Sequence, residues 1–147
     1  MFDFKFDWDT RLELGLTTID QQRQQLFSIG RHIEQLLLKQ CIGVTDEQLL
    51  NILYQIRDYI TYHFYEEEAF MKKLNFPELE VHCKLHNEFL IYINQINYTE
   101  LCDNPMIELS KIKHTIVSWI FQHMIHQDQK IATYYRQLDV SNDSYRA

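Results

Sequence analysis

Six side chains able to bind a metal recur at spacings that helices would gather onto a common side. His63 and Glu67 are four residues apart, His82 and His86 are four apart, and His123 and Asp128 are five apart. Positions i and i+4 are neighbours on one helix face, so the first two pairs can each converge on a point. Five residues turn a regular helix by about 140°. The third pair converges only where the helix widens, and the spacing therefore predicts a π-bulge between His123 and Asp128. Neutral imidazoles on an apolar stripe need partners, and charged ones repel one another. A divalent metal resolves both problems by taking a lone pair from each ring. Imidazole and carboxylate without an inward thiolate favour iron, zinc or manganese. Cys83 follows His82 and points about 100° away from it on a regular helix. His32 and His114 fall off the stripes and are expected in solvent. His126 is expected to face sideways.

Four helices must position these groups. Apolar residues at steps of three and four mark the inward face of each. The first stripe is Ile19, Arg23, Leu26, Gly30, Ile33 and Leu37, with Thr17 or Thr18 as the cap. The second is Leu49, Leu53, Ile56, Ile60, His63, Glu67, Phe70 and Leu74, opened by Thr45-Asp46-Glu47. Leu79, His82, His86, Phe89, Ile93 and Ile96 form the third, with Pro77 in its first turn. The fourth runs through Leu109, Ile112, Ile116, Ile120, His123, Ile131 and Leu138, and Asn104-Pro105 starts it. Short connections between four such helices predict an all-α, up-down-up-down four-helix bundle. The chain reads as one domain over 1–147. An extended aromatic arm (Phe2, Phe4, Phe6, Trp8) occupies 1–17, the bundle 18–139 and a tail 140–147.

Bulk properties narrow the function classes. Three glycines and two prolines in 147 residues leave long helices uninterrupted. A formal charge of −7 argues against nucleic acid or anionic lipid as a partner. Cys41, Cys83 and Cys102 are odd in number and widely spaced, which predicts reduced thiols and an intracellular setting. Acids interrupt the start where a signal peptide needs an apolar run, and no apolar run reaches the roughly 18 residues of a membrane span. The expectation is a cytoplasmic protein with no membrane partner.

In its motifs the chain resembles the hemerythrin family over nearly its whole length. These motifs are the Trp8 arm leading into Gly15-Leu16-Thr17-Thr18-Ile19-Asp20, then His63-Phe64-x-x-Glu67-Glu68, His82-x-x-x-His86 with Phe89, and Trp119-Ile120-x-x-His123-x-x-x-x-Asp128. The resemblance implies two irons bridged by oxygen and two carboxylates, and reversible O2 binding. It places His82, His86 and His123 on one iron and His63 on the other, with Glu67 and Asp128 bridging. Trp119, Ile120, Met124 and Leu26 would line the gas pocket.

The first helix departs from the family pattern. Where the family has an acid, two residues and a histidine, this chain has Asp20-Gln21-Gln22-Arg23. Arginine keeps its proton and cannot bind a metal as imidazole does. Three arrangements follow. One metal sits on His82, His86, His123 and carboxylate, with Arg23 as the second cation. Alternatively two metals bind, one short of a protein ligand, with Arg23 over the pocket. In the third, a salt-bridged core remains without metal. The leading function is a non-haem iron protein that binds O2 or a related diatomic as carrier, store or sensor, with two irons or a single iron or other divalent metal. The alternatives are a di-iron enzyme that activates O2 or peroxide or reduces NO, and a metal-free scaffold. Tyr59, Tyr62 and Tyr65 would bear on the enzyme reading only if they turned inward.

Overall fold

The structure, a computed structural model, describes residues 14–141. The aromatic residues of the arm and the end of the tail lie outside that range. Among the described residues all regular secondary structure is helical. The helices are α1 (Thr17–Leu38), α2 (Asp46–Lys73), α3 (Leu79–Asn94), α4 (Tyr98–Asp103), α5 (Pro105–Trp119) and α6 (Asp128–Ser141). A π-helical segment, Ile120–Gln127, joins α5 to α6, so the two read as one long helix with a widened middle. No helix among these residues is long and apolar enough to cross a membrane.

Local chemistry explains the ends. Thr45 and Gln48 form a reciprocal capping box at the start of α2, each side chain bonding the other's backbone N–H. At the end of α1, Gln40 N–H bonds Leu37 O and Cys41 N–H bonds Leu36 O. Asn75 and Phe76 repeat the motif at the end of α2, bonding Lys72 O and Met71 O. Asn75 takes the left-handed conformation this cap needs, with φ 54°. Phe76 then packs with Met71 and Ile131. These two reversals turn α2 back along α1 and α3 back along α2.

Three local expectations need correction. Leu16, rather than Thr17 or Thr18, holds the cap position of α1. Asp20 serves that end instead, accepting from the N–H groups of Leu14 (2.8 Å) and Gly15 (3.1 Å). Pro77 sits in the turn before α3, which begins at Leu79. The connection before Pro105 contains α4, with Asn97 accepting from Glu100 N–H. Leu101 anchors this short helix to the core.

α1 packs against α2 and α5, and α2 packs against α3. Buried residues follow the anticipated stripes, with Leu26, Ile33, Leu53, Ile56, Ile93, Leu109 and Ile116 in one large apolar cluster. Two smaller clusters, one around Leu16, Ile19 and Ala132 and one around Met71, Phe76 and Ile131, close the other end. Between them lies a polar layer of Arg23, His63, Glu67, His82, His86, His123 and Asp128, each at most 2% exposed. Apolar packing on both sides keeps these charges out of water, so their mutual geometry decides their energetics.

Candidate metal centre

Each long helix delivers its share of the layer from one face. α2 contributes His63 and Glu67 one turn apart, and α3 contributes His82 and His86 in the same way. The fourth position depends on the π segment. Asp128 N–H bonds His123 O, five residues back, and this wider turn brings both side chains to one side. His123 Nε2 and Asp128 Oδ1 are 3.0 Å apart. The π-bulge read from the spacing is therefore present.

The donor atoms converge. Glu67 Oε1 lies 2.5 Å from His82 Nε2 and 3.0 Å from His86 Nε2. His86 Nε2 and His123 Nε2 are 3.1 Å apart, and His82 Nε2 is 3.1 Å from Asp128 Oδ1. On the other side of Glu67, Oε2 is 3.3 Å from His63 Nε2. Glu67, His82, His86 and His123 form one group able to hold a metal, and His63, Glu67 and Asp128 form a second. Metal bonds of about 2.1 Å at right angles hold neighbouring donor atoms about 3.0 Å apart, which matches most of these separations.

A second observation tests the fit. His63 Nε2, Glu67 Oε2 and both carboxylate oxygens of Asp128 are buried and have no hydrogen-bond partner. Asp128 Oδ1 has two imidazole nitrogens within 3.1 Å, yet the angles do not make hydrogen bonds. Buried polar atoms at this proximity with misdirected lone pairs are costly without a cation to receive them. The donor set thus fits a metal.

Arg23 occupies the remaining corner, 1% exposed. Its Nη2 donates to Met124 O at 2.7 Å. Nη1 is 3.8 Å from Asp20 Oδ1 and Nε is 3.9 Å from Asp128 Oδ2. The contact with Asp128 is a long ion pair and not a bidentate fork.

A family model for the hemerythrin HHE cation binding domain matches residues 15–135. The chain belongs to the hemerythrin family. Among its relatives is a bacteriohemerythrin of Clostridium acetobutylicum, 24% identical over 125 residues, covering 85% of this chain and 97% of that protein. A bacteriohemerythrin of Campylobacter jejuni is 29% identical over 120 residues, covering 81% and 86%. Another, from Stenotrophomonas maltophilia, is 24% identical over 126 residues, covering 85% and 78%. No solved structure matches.

Within this hemerythrin-family layer, two positioning residues were missed by the sequence reading. Glu68 Oε2 accepts from His86 Nδ1 at 2.8 Å, which leaves Nε2 facing the centre. Gln22 Oε1 lies 3.1 Å from His63 Nδ1 and does the same for that ring. Gln22 sits on the flank of α1, and its length lets it reach the far nitrogen. Rings enclose the layer. Phe64 stacks on His86 (3.9 Å, 1°) and Trp119 on His123 (3.9 Å, 12°). Leu26, Ile120 and Met124, expected around a gas pocket, are fully buried, and Trp119 is nearly so. His114 and His126 are exposed and His32 half-buried, none joining the layer. The three cysteines are free thiols.

Electrostatics in the metal-free layer follow from the same contacts. Burial alone would lower the His82 pKa, but contacts with Asp128 and Glu67 outweigh it and raise it to about 9. His123 is also raised, burial being overcome by Asp128 and Glu67. Burial would raise Glu67, but His63, His123 and His82 together hold it well below the usual carboxylate range. Protons thus take part of the place that a metal would fill.

Proposed function

We propose that this hemerythrin-family chain is a non-haem iron protein that binds O2 or a related diatomic ligand as a carrier, store or sensor. The convergence of three imidazole nitrogens and two carboxylates at separations near 3 Å carries this reading. His82, His86 and His123, with Glu67 and Asp128, would hold an iron. A bound iron supplies an open coordination position for a diatomic ligand.

The chain's own residues do the rest. Glu68 fixes the His86 tautomer. Leu26, Ile120, Met124 and Trp119 pack at or beside the layer and exclude water. Phe64 and Trp119 clamp two of the rings by stacking. The test is aerobic purification followed by metal analysis and an absorption spectrum. Iron that co-purifies, with a spectrum that changes on deoxygenation and returns with O2, supports the reading. A chain that takes up no iron refutes it.

One observation favours a second reading, an O2- or NO-converting enzyme. Tyr62 and Tyr65 are exposed, but Tyr59 turns inward, 1% exposed, with its ring stacked on His63 at 4.9 Å. Repeated turnover of O2 or NO with an external reductant distinguishes this reading, because reversible binding gives none.

A further inference from the structure

The corner of the layer around Arg23 differs from the rest. His63, Glu67 and Asp128 bring ligand atoms together there, and His63 Nε2, Glu67 Oε2 and both Asp128 oxygens lack hydrogen-bond partners. The donor chemistry for a second metal is present. A guanidinium faces it, and that group keeps its charge and offers no lone pair.

The fold pins Arg23 in this place. In a regular α-helix the Met124 carbonyl would accept from Asp128 N–H, four residues on. In the π segment that N–H bonds His123 O instead. Arg23 Nη2 bonds the Met124 carbonyl at 2.7 Å, and Asp20, itself held by Leu14 and Gly15 N–H, faces Nη1 at 3.8 Å. Swinging the guanidinium away would strand that charge and the carbonyl inside the core.

Asp20, Glu67 and Asp128 carry three negative charges and Arg23 one positive, all buried. One divalent cation balances them. A second would add two positive charges beside the guanidinium that no buried carboxylate balances, so an oxide or hydroxide would have to enter with it. We infer that Arg23 serves as a built-in second cation, so that the chain retains a single divalent metal, at His82, His86, His123, Glu67 and Asp128. The inference rests on the metal-binding reading above and fixes its nuclearity. What bars the second metal is the charge of Arg23, not only the lack of a fourth ligand.

Two neutral variants separate charge from ligand count. Arg23→Met removes the charge and adds no imidazole. Arg23→Gln also removes it but keeps a donor for Met124 O. Arg23→His supplies the ligand as well. Each full-length protein is loaded anaerobically with excess Fe(II), and in parallel with Zn(II), then desalted and its metal counted per chain. Circular dichroism confirms folding. The expected result is one metal per chain in the wild type and two in Arg23→His and in at least one folded neutral variant. After oxidation, the iron-loaded wild type should show the EPR signal of an isolated high-spin ferric ion, while the two-metal variants lose it through coupling. Two metals in the wild type overturn the inference but leave the iron-binding reading intact. Two metals in Arg23→His with one in both neutral variants also overturn it, since ligand count would then be the barrier. No metal in any of the proteins defeats both.

Discussion

His123 Nε2 and Asp128 Oδ1 stand 3.0 Å apart although five residues separate them in the chain. The π segment makes this approach, and it places one carboxylate against two imidazoles and a guanidinium. Asp128→Ala should therefore damage the metal-free protein as well as the metal site. Breaking a buried ionic contact costs about 3–5 kcal/mol, and urea unfolding of the metal-free variant should show a loss near the lower figure. An unfolding midpoint equal to the wild type would mean that Asp128 carries no ionic role. Metal titration of the same variant should show high-affinity binding lost.

The shifts at His82 and Glu67 fix the pH dependence of the metal-free protein. The folded His82 pKa, about 9, lies above its unfolded value. Its stabilisation is complete below the ordinary histidine value of about 6.5 and is lost as pH rises through 9. Glu67 is depressed, so its stabilisation is present above the ordinary carboxylate value of about 4.3 and is lost as pH falls through the lower folded value. Stability of the metal-free form should be greatest between roughly pH 5 and 6.5. Denaturant titrations across pH 4 to 9 would check this, and a maximum above pH 8 would contradict it.

Metal uptake should run the other way. A metal displaces the proton from His82, so apparent affinity rises with pH from 7 toward 9, by up to about tenfold per unit for each proton released. Calorimetry in two buffers of different ionisation enthalpy would count those protons at pH 7. A count of zero would mean that the proton and the metal do not compete for this ring.

Glu68 and Gln22 hold the outer nitrogens of different rings. Outer partners of metal-bound histidines typically set affinity by about 10–100-fold. Glu68→Ala should weaken the retained metal on that scale, because His86 loses its acceptor. Gln22→Leu touches only the His63 corner and should leave that metal's affinity within a few-fold. Competition against a chelator measures both, and equal effects would show that the two corners are not distinct.

Much of this layer was legible in the sequence because helical periods are rigid. His63 and Glu67 lie four apart, as do His82 and His86, and every one falls on its stripe. Even the distortion was readable, since five residues between His123 and Asp128 fit no regular helix. The misses depend on backbone detail that periodicity does not carry. Asp20, not a threonine, serves the start of α1 because its carboxylate reaches back to two N–H groups. Helix α4 hides in a stretch too short for a stripe, with Asn97 as its one signal. The partner of Arg23 is a backbone carbonyl in the π segment, so residue types alone do not show it. Gln22 lies on the flank of α1, and its role depends on side-chain length rather than on direction.

The proposed metal lies between the buried imidazoles and carboxylates in the middle of the bundle. Crystals of protein loaded with Fe(II), measured on either side of the iron absorption edge, would locate it directly. An anomalous peak is expected within bonding distance of the Nε2 atoms of His82, His86 and His123 and of Glu67 and Asp128. Iron found elsewhere on the chain, or no peak between those rings in a fully loaded sample, would contradict it.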